Sequence, residues 1–278
     1  MKLPPFAFLW PSLQCHNNIL VSTKLRWALV AFMLATCEIA HSQDVDINRQ
    51  WTLDLSLGAG YGASPFSAPE GAKLTVFPFF DVNYENGRFF SSLERGVGYN
   101  LARTGQFEVD TALSYRFGRS EDLGAHYRGL GNIKGAPLVL VSLAWFPNEI
   151  LSFYASADRA INGSTGSTLT AGVTVGFPIE GRLNGYVDAS GLWGDDDYVK
   201  TYYGITPDQA ARSRYRAYIL EAGLVSTTVS VGFIYEESTK RSVNFLVGAT
   251  RFEDDAQRSP LTEKRTQPIA LFFVTHRW

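Results

Sequence analysis

The chain has 278 residues, of which 45% are hydrophobic, 14% aromatic and 19% charged. This composition is typical of a folded protein and excludes an intrinsically disordered one. The formal net charge of −2 gives no basic field, which excludes a nucleic-acid partner. No run of about 18 apolar residues follows the N-terminal region, which argues against a transmembrane helix in the mature chain.

The N-terminal region carries an export signal. An apolar stretch over residues 27–37 follows two basic residues and precedes Ala40-His41-Ser42, which has small residues at the two positions that determine cleavage. We therefore predict a signal peptide over residues 1–42. Residues 1–20 resemble neither a signal nor a domain and are explained by a start site placed too early. Residues 43–50 would be a short periplasmic segment.

Both cysteines, Cys15 and Cys37, lie in the segment that cleavage removes. The mature chain would then have neither a disulfide nor a thiol. A second interpretation stays open for Cys37, because Leu34–Cys37 resembles the box at which lipoproteins are acylated. Residues 1–42 hold three of the 25 basic and one of the 27 acidic side chains, so 22 and 26 remain, a net charge of −4.

Apolar and polar residues alternate with a period of two along most of the mature chain, as in strands with two different faces. The clearest case is Trp51 to Tyr61. The same pattern predicts further strands, in chain order, over 73–84, 109–117, 137–146, 151–157, 169–177, 181–193, 227–235 and 241–252. Most of these segments approach the 9–11 or so residues that a tilted membrane-spanning strand needs. Strands of a soluble sandwich are shorter, so the alternation favours a membrane barrel.

The last predicted strand, Gln267 to Trp278, runs to the final aromatic residue. Its mostly apolar face carries Phe272, Val274, His276 and Trp278. A strand at the end of a chain leaves an unpaired edge unless it pairs with the first strand and closes a barrel. The pattern resembles the C-terminal signal of bacterial outer-membrane barrels, which implies the barrel-insertion machinery as a partner.

The connection lengths predict the number of strands. Outer-membrane barrels have short turns on the periplasmic side and longer loops outside. Long connections are expected at 62–72, 118–135, 160–167, 194–215 or beyond, and 253–266. Each follows an odd-numbered strand if residues 88–101 fold back at 94–96 as two short strands, which gives twelve strands; one bulged strand there leaves ten as the alternative. The predicted fold is therefore all-β: a transmembrane, antiparallel, up-and-down β-barrel over residues 51–278.

Charged residues on the polar faces of these strands are predicted to point into the lumen. They are Glu108, Asp110, Arg116, Arg182, Asp188 and Glu236. Either they line an open pore, or they pair with one another in a plugged barrel, and we favour the plugged barrel.

The long loops carry an ordered set of motifs. The first consists of Gly129, Leu130, Gly131, Asn132 and Ile133. The others consist of Tyr202, Tyr203 and Gly204, then Glu221 to Leu224, then Asp255 with Ser259 and Pro260, together with the early hairpin at 87–98. This set, over about residues 50–278, resembles the MipA/OmpV family of outer-membrane proteins, in which the first motif reads Gly-Leu-Gly-Asp-Ile. Here Asn132 replaces the Asp, which puts in doubt any ion or salt bridge that the carboxylate supports.

The resemblance implies a barrel that in some members links a murein-cleaving lytic transglycosylase to a murein synthase. We therefore predict a murein scaffold in the outer membrane of a Gram-negative cell, with outer-membrane lipid as a further partner. A small-solute or ion porin is the alternative, and a lipid-modifying barrel enzyme is the third hypothesis.

No catalytic, cofactor-binding or metal-binding constellation is evident in the mature sequence. It contains two histidines, His126 in a loop and His276 on the final strand, and we interpret both as structural. Asp195-Asp196-Asp197 lacks the spaced oxygen ligands of a calcium loop and is interpreted as a solvated acidic loop. We predict that the protein is not an enzyme and needs no cofactor.

Overall fold

The alternation of apolar and polar residues becomes the wall of a closed barrel. A computed structural model describes residues 51–62, 73–93, 95–161 and 165–278. Twelve antiparallel strands pair with their chain neighbours around the ring, so the predicted count of twelve is confirmed and the alternative of ten is wrong. The predicted signal peptide (1–42), the segment 43–50 and Cys37 lie outside the described residues.

The strands follow the predicted order. They are β1 (Trp51–Gly62), β2 (Lys73–Tyr84), β3 (Phe89–Ser92), β4 (Gly96–Arg103), β5 (Phe107–Arg116), β6 (Ala136–Trp145), β7 (Leu151–Ala160), β8 (Ser167–Glu180), β9 (Leu183–Gly194), β10 (Gly223–Glu236), β11 (Arg241–Phe252) and β12 (Thr266–Arg277).

Side chains alternate between the outside and the inside of the wall. In β10, Val229 is 55% exposed, whereas its neighbours Thr228 and Ser230 are 2% and 1% exposed. Each strand bonds to two neighbours in a closed ring, although the short β3 pairs with only the last four residues of β2. An exposed apolar outer face over a polar interior is the arrangement of a membrane-spanning barrel.

Aromatic rings surround the end of the barrel at which the short turns lie. Ring centroids are 4.2 to 6.2 Å apart in the pairs Trp51 with Tyr84, Phe107 with Trp145, Trp145 with Phe153, and His276 with Trp278. Such rings prefer the boundary between hydrocarbon and water. We call this region the turn end, and by the general rule for these barrels it faces the periplasm.

The first and last strands close the ring. Leu53 and Trp278 exchange backbone hydrogen bonds, and the hydroxyl groups of Ser56 and Thr275 lie 2.8 Å apart inside the seam. Near the turn end, Nε and Nη2 of Arg277 donate to the Asp54 carboxylate at 2.8 and 2.6 Å. The outward positions of β12 carry the predicted C-terminal signal, Phe272, Val274, His276 and Trp278.

Interior aromatic rings cover glycines directly opposite them on the next strand. A Cβ atom at Gly172 would meet the ring of Tyr154, one at Gly232 the ring of Tyr186, and one at Gly98 the ring of Phe90. Large side chains therefore fill interior space that the glycines leave free.

Short helices occur in the long loops. They are α1 (Asp196–Tyr203), α2 (Pro207–Arg212) and α3 (Asp254–Arg258). The side chain of Asp195 caps α1 by accepting the Tyr198 amide, and Thr206 with Gln209 forms a capping box on α2. Within the described residues, no helix has the length and apolar character needed to cross a membrane.

Candidate functional site: the loop cap

Three long loops pack into a second core at the end opposite the short turns. They are the β5–β6 loop (117–135), the β9–β10 loop (195–222) and the β11–β12 loop (253–265), and we call the packed unit the cap. Its buried residues include Tyr127, Leu130, Tyr198, Val199, Tyr202, Tyr203, Ile205, Leu220, Ala256 and Leu261. They pack on Leu192, Val225 and Phe252 of the barrel wall.

The cap crosses the mouth of the barrel. The β5–β6 and β11–β12 loops leave the ring on opposite sides, because six strands separate them in either direction. Nevertheless, His126 of the first loop lies 3.3 Å from the carbonyl oxygen of Leu261 in the other, measured from Nε2. These loops meet above the lumen, and the β9–β10 loop packs against both.

The glycines of the first motif hold the β5–β6 loop in a fixed turn. The amides of Gly129 and Gly131 both donate to Oε2 of Glu121, at 3.0 and 3.1 Å. Both glycines have positive φ, +85° and +75°, which disfavours other residues. A Cβ atom at Gly129 would also collide with the carbonyl group of Arg212, so glycine allows the β9–β10 loop to approach.

The other residues of this motif join the loop to its neighbours. Oδ1 of Asn132 accepts the Glu121 amide at 2.8 Å, a bond that the oxygen of an Asp would also accept. The carbonyl of Leu130 accepts from Nε2 of Gln209 at 2.7 Å, and Ile133 forms a backbone bridge with Arg119. Asn132 therefore preserves this hydrogen bond although the carboxylate is absent.

Two further motifs meet in the same cap, whereas the early hairpin at 87–98 belongs to the wall strands β3 and β4. Tyr202 and Tyr203 end α1 and are 4% and 3% exposed, and the amide of Gly204 closes the helix on the Lys200 carbonyl at 3.1 Å. Oγ of Ser259 donates to the carbonyl of Tyr203 at 2.6 Å. In addition, the Tyr218 hydroxyl donates to the carbonyl of Asp255 at 3.0 Å, while Pro260 is exposed beside Ser259.

His126 is enclosed in the cap and bonded on both ring nitrogens. Nδ1 lies 2.7 Å from the Tyr215 hydroxyl, 3.1 Å from Nη2 of Arg214 and 3.1 Å from Glu263. Because an arginine only donates, Nδ1 accepts, and Nε2–H then donates to the carbonyl of Leu261. The Glu263 carboxylate therefore lies beside Nδ1 without a hydrogen bond to it. Burial lowers the pKa of His126 below its ordinary value, which agrees with this neutral form.

Arg116 connects the wall to the cap from inside the barrel. Its guanidinium pairs with Asp158 and donates to the carbonyl groups of Thr165 and Gly166 in the β7–β8 loop. It also lies 5.1 Å from the ring centre of Tyr198 on α1. The interior wall, the β7–β8 loop and the cap are thus held by one side chain.

The other charges assigned to the lumen lie at different depths. Asp188 is buried and accepts from the hydroxyls of Tyr154 and Thr174. Asp110 is buried, with Nδ2 of Asn100 at 2.6 Å and Arg95 at 3.7 Å. Two others lie near strand ends at the turn end and are partly exposed: Glu108, 3.0 Å from Arg103, and Glu236.

Arg182 differs from the sequence prediction. It was assigned to a strand over 181–193, but β9 begins at Leu183, because Gly181, with φ of +55°, forms a tight turn with Arg182. The side chain is exposed at the turn end, where it donates to the carbonyl of Glu237 in the neighbouring turn. Arg182 is therefore a surface residue rather than a lumen residue.

Several residues that hold the cap together were not singled out from the sequence. They are Arg119, Glu121, Tyr127, Tyr215, Leu261 and Glu263. Their partners lie in other loops, so no local spacing reveals them. Among the described residues, no group of three or more His, Cys, Asp or Glu side chains is placed to hold a metal ion.

A closed ring with an apolar outer face, an aromatic girdle at one end and folded loops at the other defines an outer-membrane β-barrel protein. Residues 55–278 match the family model described as "MltA-interacting protein MipA". The chain belongs to this MipA family.

Solved structures of similar fold include two porins and a channel. The chain is 11% identical to the NanC porin, with 80% of this chain and 98% of that chain covered at a TM-score of 0.44. The KdgM porin is 8% identical, with 80% of this chain and 98% of that chain covered at a TM-score of 0.39. The CymD monoaromatic hydrocarbon channel is 10% identical, with 89% of this chain and 92% of that chain covered at a TM-score of 0.41. These likenesses concern the fold alone. No curated protein sequence matches the chain.

Proposed function

We propose that this protein is an outer-membrane scaffold that holds a lytic transglycosylase, and through it a murein synthase, at the periplasmic side of the membrane. The observation that carries the proposal is the cap, which joins loops from opposite sides of the barrel and packs Tyr127, Ile205 and Leu220 to about 1% exposure. A pore would have to displace this core. The family description, which names an interaction with MltA, supports the same function.

The turn end is the surface that such partners can reach, because murein lies in the periplasm. Its turns present charged side chains of both signs, including Arg88, Arg182, Glu237 and Arg241. Complementary charges on a partner would set orientation and speed of association more than affinity.

Affinity capture from solubilised envelopes tests the scaffold. The wild-type barrel should recover a lytic transglycosylase, and a double charge reversal at the turn end, Arg88→Glu with Arg241→Glu, should reduce the recovery about tenfold. The matched control is Arg258→Glu, an exposed cap arginine, which should recover as much as the wild type. Recovery of no murein enzyme by any of these proteins would refute the scaffold.

A porin is the second candidate, and the interior hydroxyl wall favours it. The interior carries polar side chains of the kind that line the lumen of a porin, namely Thr168, Thr170, Thr174, Ser226, Thr228 and Ser230. Planar bilayers distinguish the candidates. We expect the wild type to be silent and Leu220→Asp, which disrupts the cap core, to conduct. Steady unitary currents from the wild type would favour the porin instead.

A further inference from the structure

One buried cation in the cap has no counterion among the residues that the structure describes. Arg119 is 3% exposed, and its Nε and Nη1 atoms have no hydrogen-bond partner among the described residues. Its backbone is fixed by the two-way bridge to Ile133, at 2.8 and 2.9 Å, so the side chain cannot easily withdraw into solvent. The guanidinium lies 4.6 Å from the ring centre of Tyr127, which compensates only part of the lost hydration.

Among the described residues, no carboxylate of the cap forms an ion pair with Arg119, and several have other partners. Glu121 accepts two backbone amides, and Glu263 lies against His126. Further cap carboxylates with partners are Asp195 with the amides of Ser167 and Tyr198, Asp196 with Lys200, Glu253 with Thr227 and Arg251, and Asp255 with Arg258. Within the described part of the chain, no acidic side chain neutralises Arg119.

A second polar atom beside Arg119 is also unpartnered. The hydroxyl of Tyr127 is buried without a hydrogen-bond partner among the described residues, and the whole residue is 1% exposed. Burial raises the pKa of Tyr127, so its phenol stays protonated and can donate. Burial lowers the pKa of Arg119, yet arginine remains charged in proteins. The unpartnered polar atoms of Arg119 and Tyr127 are therefore hydrogen-bond donors that surround a positive charge.

We propose that Arg119 and Tyr127 form a binding site for a small oxyanion, a phosphate or a carboxylate group, inside the cap. Such a group would accept hydrogen bonds from the guanidinium and the phenol and would supply the missing negative charge. The oxyanion would bridge two parts of the β5–β6 loop, since both residues belong to it, and would hold Arg119 against Tyr127 of the cap core. The same chemistry is offered by a free anion and by the phosphate of a lipid headgroup.

Calorimetric titration of the detergent-solubilised full-length protein with sodium phosphate and with sodium acetate tests the site, with sodium chloride at equal ionic strength as the reference. We expect phosphate or acetate to bind the wild type, Tyr127→Phe to weaken that binding about 3- to 10-fold through one lost hydrogen bond, and Arg119→Met to abolish it. In proteoliposomes, protection of the cap by phosphatidic acid but not by phosphatidylcholine would identify a lipid headgroup as the source.

Thermal unfolding midpoints, measured with and without phosphate, test the site independently of the binding titration and show whether each variant is folded. Arg119→Met removes an unpaired buried charge, so without added oxyanion it should unfold at the same or a higher temperature than the wild type. Phosphate should raise the wild-type midpoint by about 2–4 °C and leave Arg119→Met unchanged. The site is refuted if neither phosphate, acetate nor phosphatidic acid binds the wild type, or if Arg119→Met responds to phosphate as strongly as the wild type.

Discussion

The two ends of the barrel hold their connections in different ways. At the turn end, local hydrogen bonds stabilise individual turns: Oδ1 of Asn148 accepts the amides of Ile150 and Leu151, and Oγ of Ser238 accepts those of Lys240 and Arg241. Adjacent turns share hydrogen bonds, such as that from Arg182 to Glu237, but no buried core. At the other end, loops from opposite sides of the ring share one buried core. The cap should therefore open as one cooperative unit, whereas the turns should respond to change one at a time.

Removing a cap core side chain should have the largest effect. Leu220 is 1% exposed, so Leu220→Ala should lower the free energy of cap opening by about 2–5 kcal/mol through lost burial and a cavity. Amide hydrogen exchange should show the loss in all three cap loops and not in the strands. The neighbouring Ile219, 76% exposed, is the control, and Ile219→Ala should stay within about 0.5 kcal/mol. An equal loss of amide protection in the strands and in the cap loops would contradict a cap that opens as a separate unit.

Replacing a glycine that has a positive φ should cost more stability in the cap than at the turn end. Gly129→Ala combines a positive φ with a collision against Arg212 and should cost about 3 kcal/mol. Gly181→Ala at the turn end has a positive φ but open space, so it should cost only about 1 kcal/mol. Urea unfolding from lipid vesicles measures both values. Similar costs would mean that the loops of the cap can move apart freely.

An ion pair at the turn end should contribute less than the cap core. Asp54 is 7% exposed and pairs with Arg277, whose side chain is 47% exposed, so Asp54→Asn should cost about 1 kcal/mol after solvent screening. The exposed pair of Arg258 with Asp255 in the cap is the comparison, and Arg258→Gln should change unfolding by less than about 0.5 kcal/mol. A larger effect at Arg258 would reverse the expected order.

The smallest effect is a pH dependence confined to the cap. Burial lowers the pKa of His126 below its ordinary 6.5, so the opened cap binds a proton before the closed cap does. Stability is therefore full above about pH 6.5 and declines as the pH falls, by at most about 0.7 kcal/mol between pH 7 and 6. Hydrogen exchange of cap amides at these two pH values measures the change. His126→Gln should remove it, and a cap that becomes more protected at low pH would contradict the sign.

The barrel wall was predictable because its signal is local. A period of two along about ten residues reports a strand with one face in lipid, as in Trp51 to Tyr61, and the loop lengths then gave twelve strands. The short helices were not predicted, because α1, the longest of them, has eight residues and is too short for a helical period to stand out. The sequence prediction placed Arg182 in the lumen because it began the strand at residue 181, two residues before the observed start of β9.

The cap was predictable in its parts and not in its assembly. The motif residues Gly129, Tyr203 and Ser259 were identified, yet the sequence does not say that their loops meet. The contact of His126 with Leu261 joins positions 135 residues apart, and no spacing rule connects them. Arg119 likewise lacks a sequence signature, because an unpaired cation is recognised only when its surroundings are known.

The seam between β1 and β12 sets an order on folding. Ser56 and Thr275 are separated by 219 positions, so the ring cannot close until almost the whole chain is present. Contacts this distant in sequence form slowly, because a long segment of chain must be ordered before they form. Until then β1 offers an open edge on which another chain could pair. Safe assembly therefore depends on keeping that edge covered until the final strand arrives.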